Sequence, residues 1–460
     1  MEAKELIFTI GSLFCVPTGV LLARSHPRIL GLVFFALVFG TTQTESLFGL
    51  PTDINFLSRE WYRGTTRGIE VSYLDLLALI LLFASLSTRR RERIPFVRPP
   101  SLGMLVAFFA WAAFNVLVTS DPKIFGLFEL TKIARGILLF TAVAAYVRSP
   151  REVRLFVWTL VIVMFYETAV ALQDRYIFGI HRISGTLPHP NSLSMYCLQI
   201  LPILISVWFA RDISPNLKKA SLAASLAAAV SIILTISRTG IASLIFLMMV
   251  SLVLNIRFRF TIRNIGLAAL LALAGTGMLV KSWDTVLTRF ASFDFQQEYT
   301  TEQGDRGSYF RKGLPALNDN PVFGVGLNNW SYWISNRYAA KAGYESEPYP
   351  SAEFAPDAIG QEAPAHNLYL ITAVELGWPG LLLLLALISR WLYISGKGLT
   401  SASETLIDRV RLGACLSLCG VLMQSVTEWE FRQSSLFFLG HIVMAVAAVI
   451  YYHTKRNPRA

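Results

Sequence analysis

Apolar runs of about 20 residues recur along almost the whole chain, and no other feature limits its fold so strongly. They lie at 6–23, 29–43, 71–87, 102–119, 126–147, 155–173, 191–210, 220–236, 240–255, 265–281, 368–394, 411–427 and 434–452. As a helix, a run of that length matches the hydrocarbon thickness of a bilayer. A lone strand in lipid would leave its backbone groups without partners. The expected fold is therefore all-α, a polytopic bundle of about 12–13 transmembrane helices. Composition agrees. Hydrophobic residues make up 54% and charged residues 15%, whereas soluble domains carry about a quarter charged residues.

The net charge of +11 does not point to nucleic acid, because the cations sit in short connections between the apolar runs. One set holds Arg24 and Arg28; Arg89, Arg90, Arg91 and Arg93; Arg148, Arg151 and Arg154; and Arg211, Lys218 and Lys219. It continues with Arg257, Arg259 and Arg263; Arg390, Lys397, Arg409 and Arg411; and Lys455 and Arg456. These connections alternate along the chain, as one membrane face requires, and the positive-inside bias assigns them to the cytoplasm. The C-terminus is then inside. The N-terminus is outside if all thirteen runs span, and inside if the first does not. No cleavable leader is expected, since the first run follows Glu2, Lys4 and Glu5 rather than a basic segment. Cys15, Cys197, Cys415 and Cys419 lie inside apolar runs without metal-site spacing, so neither a disulfide framework nor a cofactor is expected.

The opposite face carries residues 44–70 and 174–190, the turn Ser237-Arg238-Thr239-Gly240, and one long connection at 282–367. The chain thus divides into N-terminal helices (1–281), a long loop (282–367) and C-terminal helices (368–460). Loops of this length are functional or disordered. Phe323, Trp330, Tyr332 and Trp333 favour order, with short helices at Leu314–Leu317 and Trp330–Ala340. No internal repeat stands out, which argues against a transporter built from repeated halves. The ionisable residues in or near the runs (Glu129, Lys132, Arg135, Glu167 and Glu375) are few for a transport path. The Trp61-Tyr62-Arg63 cluster reads either as a glycan contact or as part of an interfacial aromatic belt.

Several residues on that face can carry chemistry. Arg238 is either an arginine snorkelling to lipid phosphate or a ligand for a diphosphate, whose oxygens its fork matches. Arg306 and Arg311 are five apart; on a helix, one would face a site and the other solvent. The stretch Asn320-Pro321-Val322-Phe323-Gly324-Val325-Gly326 reads as a fixed turn more than as a phosphate cradle. His366, beside Asn367 at a helix start, is placed to accept a proton near neutral pH. Glu375 precedes Gly377-Trp378-Pro379-Gly380, which should kink the helix; it is a functional candidate or the partner of an arginine. His189-Pro190-Asn191 opens another run, and Glu428, Glu430 and Arg432 lie between the last two. The spacing favours no metal.

At these residues the chain resembles the bacterial O-antigen ligase and polymerase superfamily, over roughly residues 180–440. Four pieces match in order. They are His189-Pro190-Asn191-Ser192, Ser237-Arg238-Thr239-Gly240, Arg306 through Gly326, and His366-Asn367 with Glu375-Leu376-Gly377 and Gly380. The family pattern has a Trp after its loop arginine, where this chain has Phe310. The resemblance implies a membrane glycosyltransferase with a GT-C-like fold and its active site at the periplasmic face of the inner membrane. The donor would be an undecaprenyl diphosphate-linked glycan. The acceptor would be lipid A core in a ligase, or a second lipid-linked glycan in a polymerase. It further implies that Arg238 and a loop arginine, Arg306 or Arg311, act on the diphosphate without a metal, and that His366 activates the acceptor hydroxyl or orients it. Arg311, His189, Asn191, Asn367 and Glu375 then become substrate-binding candidates.

Overall fold

The computed structural model describes residues 3–42, 46–47, 50–51, 53–93, 98–119, 122–256, 305–349, 360–399 and 404–456. The run expected at 265–281, the arginines at 257–263 and two parts of the long loop (282–304 and 350–359) lie outside the described residues. Every other apolar run falls on a helix. In chain order these are α1 (Ala3–Ser25), α2 (Pro27–Phe39), α3 (Tyr73–Arg91), α4 (Leu102–Val118), α5 (Lys123–Tyr146) and α6 (Pro150–Tyr176). Next come α7 (Pro190–Trp208), α8 (Pro215–Leu234) and α9 (Arg238–Ile256). The long loop supplies α10 (Asp305–Asp319) and a helical stretch Trp330–Trp333, Ile334–Tyr338 and Ala339–Lys341, whose middle part is π-helical. The last three are α11 (Leu368–Gly396), α12 (Leu406–Gln424) and α13 (Ser434–Arg456). Strand β3 (Asp53–Phe56) pairs antiparallel with β4 (Ile69–Ser72), Ile54 opposite Val71, after a two-residue pairing of β1 (Ser46–Leu47) with β2 (Leu50–Pro51).

Among the described residues five helices, α6, α7, α8, α11 and α13, are long and apolar enough to cross a membrane. The protein is a helical membrane protein. Helix α7 is its axis: Ser192 through Trp208 are all buried, as expected of a helix apolar on every face. Helix α12 lies so close to it that a Cβ on Gly413 would meet Ile203 Cα at 2.3 Å, the small-residue approach that packs helices in lipid.

Helix starts follow their local sequence. Ser149 and Glu152 form a capping box on α6, and Ser72 and Asp75 form one on α3. The basic connections gather at one end. Arg148 pairs with Glu92 at 2.9 Å, and the Arg211 backbone N–H bonds the Glu404 carbonyl at 2.8 Å. That end is the face expected to be cytoplasmic.

The kink expected in α11 is present: Gly377 has φ 68° and ψ −178° inside the helix. The freed carbonyls of Val374 and Glu375 accept hydrogen bonds from Val325 N (2.8 Å) and Gly326 N (3.0 Å), while Trp378 N bonds the Pro321 carbonyl at 2.9 Å. The glycine-containing turn is thus a clamp on the kink. A Cβ on Gly377 would meet the Val322 carbonyl oxygen at 2.1 Å, and one on Gly324 (φ 65°) the Val374 oxygen at 2.3 Å. Gly377→Ala combines a disfavoured positive φ with a backbone clash. It is expected to cost more than about 2 kcal/mol, read as a lower thermal unfolding midpoint in detergent.

The Trp61-Tyr62-Arg63 cluster packs inward. Tyr62 is 0% exposed, stacks on Phe125 at 3.7 Å between centroids and donates its hydroxyl to the Asn328 carbonyl. Arg63 donates to the Gln361 carbonyl at 2.6 Å. The cluster fastens the early hairpin to the long loop.

Candidate active site

Four helix starts meet at the end of the bundle opposite the basic connections: α7 with His189 and Asn191, α9 with Arg238, α10 with Arg306, and α11 with His366. The connection between α12 and α13 closes over them, and its Glu428 is the residue on which three of them converge. His366 Nδ1 lies 2.7 Å from Glu428 Oε2. Arg306 Nη2 donates to Oε1 at 3.1 Å, and Asn191 Nδ2 donates to the same oxygen at 2.7 Å. Glu428 is 1% exposed, whereas the His366 and Arg306 side chains are 32% and 22% exposed. The carboxylate forms the back of the site, and the imidazole and guanidinium form its front.

Burial alone would raise the Glu428 carboxyl. The hydrogen bond from His366 and the charges of His366 and Arg306 outweigh it and hold the group below the ordinary carboxylate value. Glu428 is therefore ionised near neutral pH and only accepts hydrogen bonds. His366 Nδ1 must then carry the hydrogen, and in the neutral imidazole Nε2 keeps its lone pair. This is the arrangement a general base needs.

Helical spacing separates the two loop arginines. Arg306 and Tyr309 are three apart on α10 and share a face; the Tyr309 ring lies 5.6 Å from that of His366. Arg311, on another face of α10, donates to the Tyr344 hydroxyl. Arg238 is the first residue of α9, at a turn where Ile236 has φ 54°. Its neighbour Thr239 shares a hydroxyl hydrogen bond of 2.9 Å with Thr427, next to Glu428, which brings the α9 start to the same mouth.

His189 caps α7, accepting from Asn191 N on Nδ1 at 3.2 Å. Burial, set against the Glu428 charge, lowers its imidazole below the ordinary value, which suits a nitrogen that accepts. Asn367 caps α11, accepting from Leu370 N at 2.8 Å and donating to the Val426 carbonyl at 2.7 Å, so its amide holds the Glu428 connection against the α11 start. Glu375 is not brought into the cluster. It is 1% exposed; Arg432 Nη1 donates to one oxygen at 2.7 Å and Trp330 N to the other at 3.1 Å. Of its two readings, the arginine partner is the one the geometry holds.

His366, Glu428 and Glu430 are the one trio among the described residues with donor atoms close enough, within 4.8 Å, to share a metal ion. Arg306 already occupies one oxygen of Glu428. Burial first, then the charge of Glu428, push the Glu430 carboxyl well above its ordinary value. Glutamine keeps the size of the protonated acid and takes up no proton on folding, so Glu430→Gln is expected to be more stable than the parent near neutral pH. A raised folded-state pKa contributes stability that is lost as pH rises through it, so the parent loses stability on alkalinisation through this group and Glu430→Gln does not. Unfolding midpoints of both, followed upward from about pH 4, test this.

Sequence reasoning named Glu428 and Glu430 without placing them in the site. The available signal was the polar run Thr427-Glu428-Trp429-Glu430-Phe431-Arg432-Gln433 between two apolar helices. Residues 223–385, from α8 into α11, match a family model described as O-antigen ligase. No curated protein matches the chain. The matched stretch contains Arg238, Arg306, His366 and the kink, while His189, Asn191 and Glu428 lie outside it. The chain thus carries a domain of the O-antigen ligase superfamily over residues 223–385, and with it the character of a membrane enzyme that processes glycans in polysaccharide biosynthesis.

Proposed function

We propose that the protein is a glycosyltransferase of the O-antigen ligase type, with a GT-C-like fold and its active site at the periplasmic face of the bacterial inner membrane. The observation that carries this reading is the convergence of His366 and Arg306 on the buried Glu428. Its placement opposite the basic end supports the periplasmic assignment. The donor is an undecaprenyl diphosphate-linked glycan and the acceptor a sugar hydroxyl of lipid A core.

His366 Nε2 takes the proton of the acceptor hydroxyl, whose oxygen forms the new bond to the donor's anomeric carbon. The bond from that carbon to the diphosphate oxygen breaks, and its electron pair leaves on undecaprenyl diphosphate. Arg306 and Arg238 face that developing charge, where a fixed guanidinium is worth most in a site shielded from water. Glu428 holds His366 in the productive tautomer and stabilises the imidazolium that forms. Two arginines supply the charge that a divalent cation would otherwise provide, so transfer is expected to persist in excess chelator.

The test is to incubate purified protein with an undecaprenyl diphosphate glycan, alone and with lipid A core, and to resolve products by mass. Glycan on lipid A core identifies a ligase. Longer lipid-linked glycan in the absence of that acceptor identifies a polymerase of the same superfamily. If an intact donor and folded protein yield neither product, the transferase reading fails.

A further inference from the structure

At the opposite end of the bundle lies a cavity of about 890 Å³ between the α1–α2 connection, the end of α3 and the α5–α6 connection. Its lining holds five arginines against two glutamates. Both glutamates are already engaged. Glu92 pairs with Arg148 at 2.9 Å, and Glu152 accepts from the Ser149 backbone N–H at 2.8 Å. Among the described residues, Arg24, Arg28, Arg91 and Arg151 form no ion pair. Guanidinium groups stay charged at any physiological pH, so their gathering carries a repulsion that a bound anion removes.

Apart from Ser87, Thr88 and Tyr146, the rest of the wall is apolar. Leu30, Phe35 and Leu155 line it, and Leu32, also in the lining, is 67% exposed on the outer flank of α2. A cationic rim beside an apolar wall that reaches the exposed Leu32 matches an anionic headgroup with its acyl chains attached. A free anion would use only the rim. The positive-inside bias accounts for the number of arginines on this face. It does not require residues from three separate connections to surround one cavity with an apolar side.

We infer that this cavity binds the phosphate headgroup of an anionic phospholipid of the cytoplasmic leaflet. The site is separate from the His366 cluster, and the inference does not depend on the transfer reaction. The recognised chemistry is a phosphate ester. An inorganic phosphate arm therefore separates a lipid site from a soluble-anion site.

The experiment is native mass spectrometry and thermal unfolding of the full chain in neutral detergent. Phosphatidylglycerol, phosphatidylcholine or inorganic phosphate is titrated in. Retention of phosphatidylglycerol, with a raised midpoint, is expected and should exceed that of phosphatidylcholine. Arg28→Gln and Arg151→Gln should each weaken retention by about fivefold, and the triple variant Arg24→Gln/Arg28→Gln/Arg151→Gln by roughly 100-fold. Lys219→Gln, at the same end but outside the cavity, should retain lipid as the parent does. Three results overturn the inference: equal retention of both lipids, an unchanged affinity in the single variants, or stabilisation by inorganic phosphate equal to that by phosphatidylglycerol. The single variants keep the test informative if the triple variant does not fold.

Discussion

Replacing His366 with alanine is expected to lower glycan transfer by about 10²- to 10⁴-fold while the protein stays folded, since this is the range a general base contributes. The side chain is one-third exposed and makes one strong polar contact, to Glu428 at 2.7 Å, so little of the fold depends on it. Glu428→Gln tests the same chemistry from behind. Glutamine keeps the size of the side chain but loses the charge, and it offers an amide donor toward His366 Nδ1, Arg306 or Asn191, all of which donate to Glu428 now. The imidazole then loses the partner that fixes its tautomer, and a loss of similar size follows. A packing role alone would not move the pH dependence of transfer, so that profile is the discriminating readout. Glu428→Gln should shift it and Glu428→Asp should restore part of the rate. Normal transfer by both His366→Ala and Glu428→Gln, with unchanged unfolding midpoints, would falsify the proposed roles.

The second large effect concerns stability. Arg432 lies in the same connection as Glu428 but points into the bundle. Its Nε is 3.2 Å from Glu129 Oε1 and its Nη1 2.7 Å from Glu375 Oε2. Lys132 completes the set, 2.7 Å from Glu129 Oε2 and donating to the Arg432 carbonyl at 2.5 Å. Two cations balance two carboxylates, all nearly inaccessible. Arg432→Leu leaves two carboxylates facing one lysine in a low-dielectric interior. Breaking a buried pair in this way costs about 3–5 kcal/mol, against the roughly 5–15 kcal/mol that holds an ordinary domain together. A much lower unfolding midpoint in detergent is expected, with transfer lost along with the fold. If Arg432→Leu unfolds within a degree or two of the parent, the network does not carry this load.

The network also shows where reading along the chain stops. Glu129, Lys132 and Glu375 stood out as ionisable residues in apolar runs, a pattern that points to function by default. Their partner is Arg432, 303 positions from Glu129 and 57 from Glu375, and no periodicity connects them. The packing of Trp61 and Tyr62 was hidden for the same reason. Local sequence marks an aromatic cluster, whereas its burial against Phe125 and Tyr349 depends on the path of the long loop.

Helix positions, the kink at Gly377, the end at which basic connections gather and the different helix faces of Arg306 and Arg311 were all legible in the chain. They rest on short-range rules: apolar length, positive φ at glycine, charge bias and 3.6-residue periodicity. The carboxylate behind His366 was not legible. Glu428 acquires its role because four helix starts and one late connection meet at one point. Its depressed carboxyl value and the imidazole tautomer are properties of that meeting. Sequence by itself therefore determined a helical membrane protein with arginines and a histidine collected on one face, since burial in lipid acts on each segment separately. Only the tertiary structure decided which carboxylate those groups share, because a buried charge is set by neighbours that are distant in the chain.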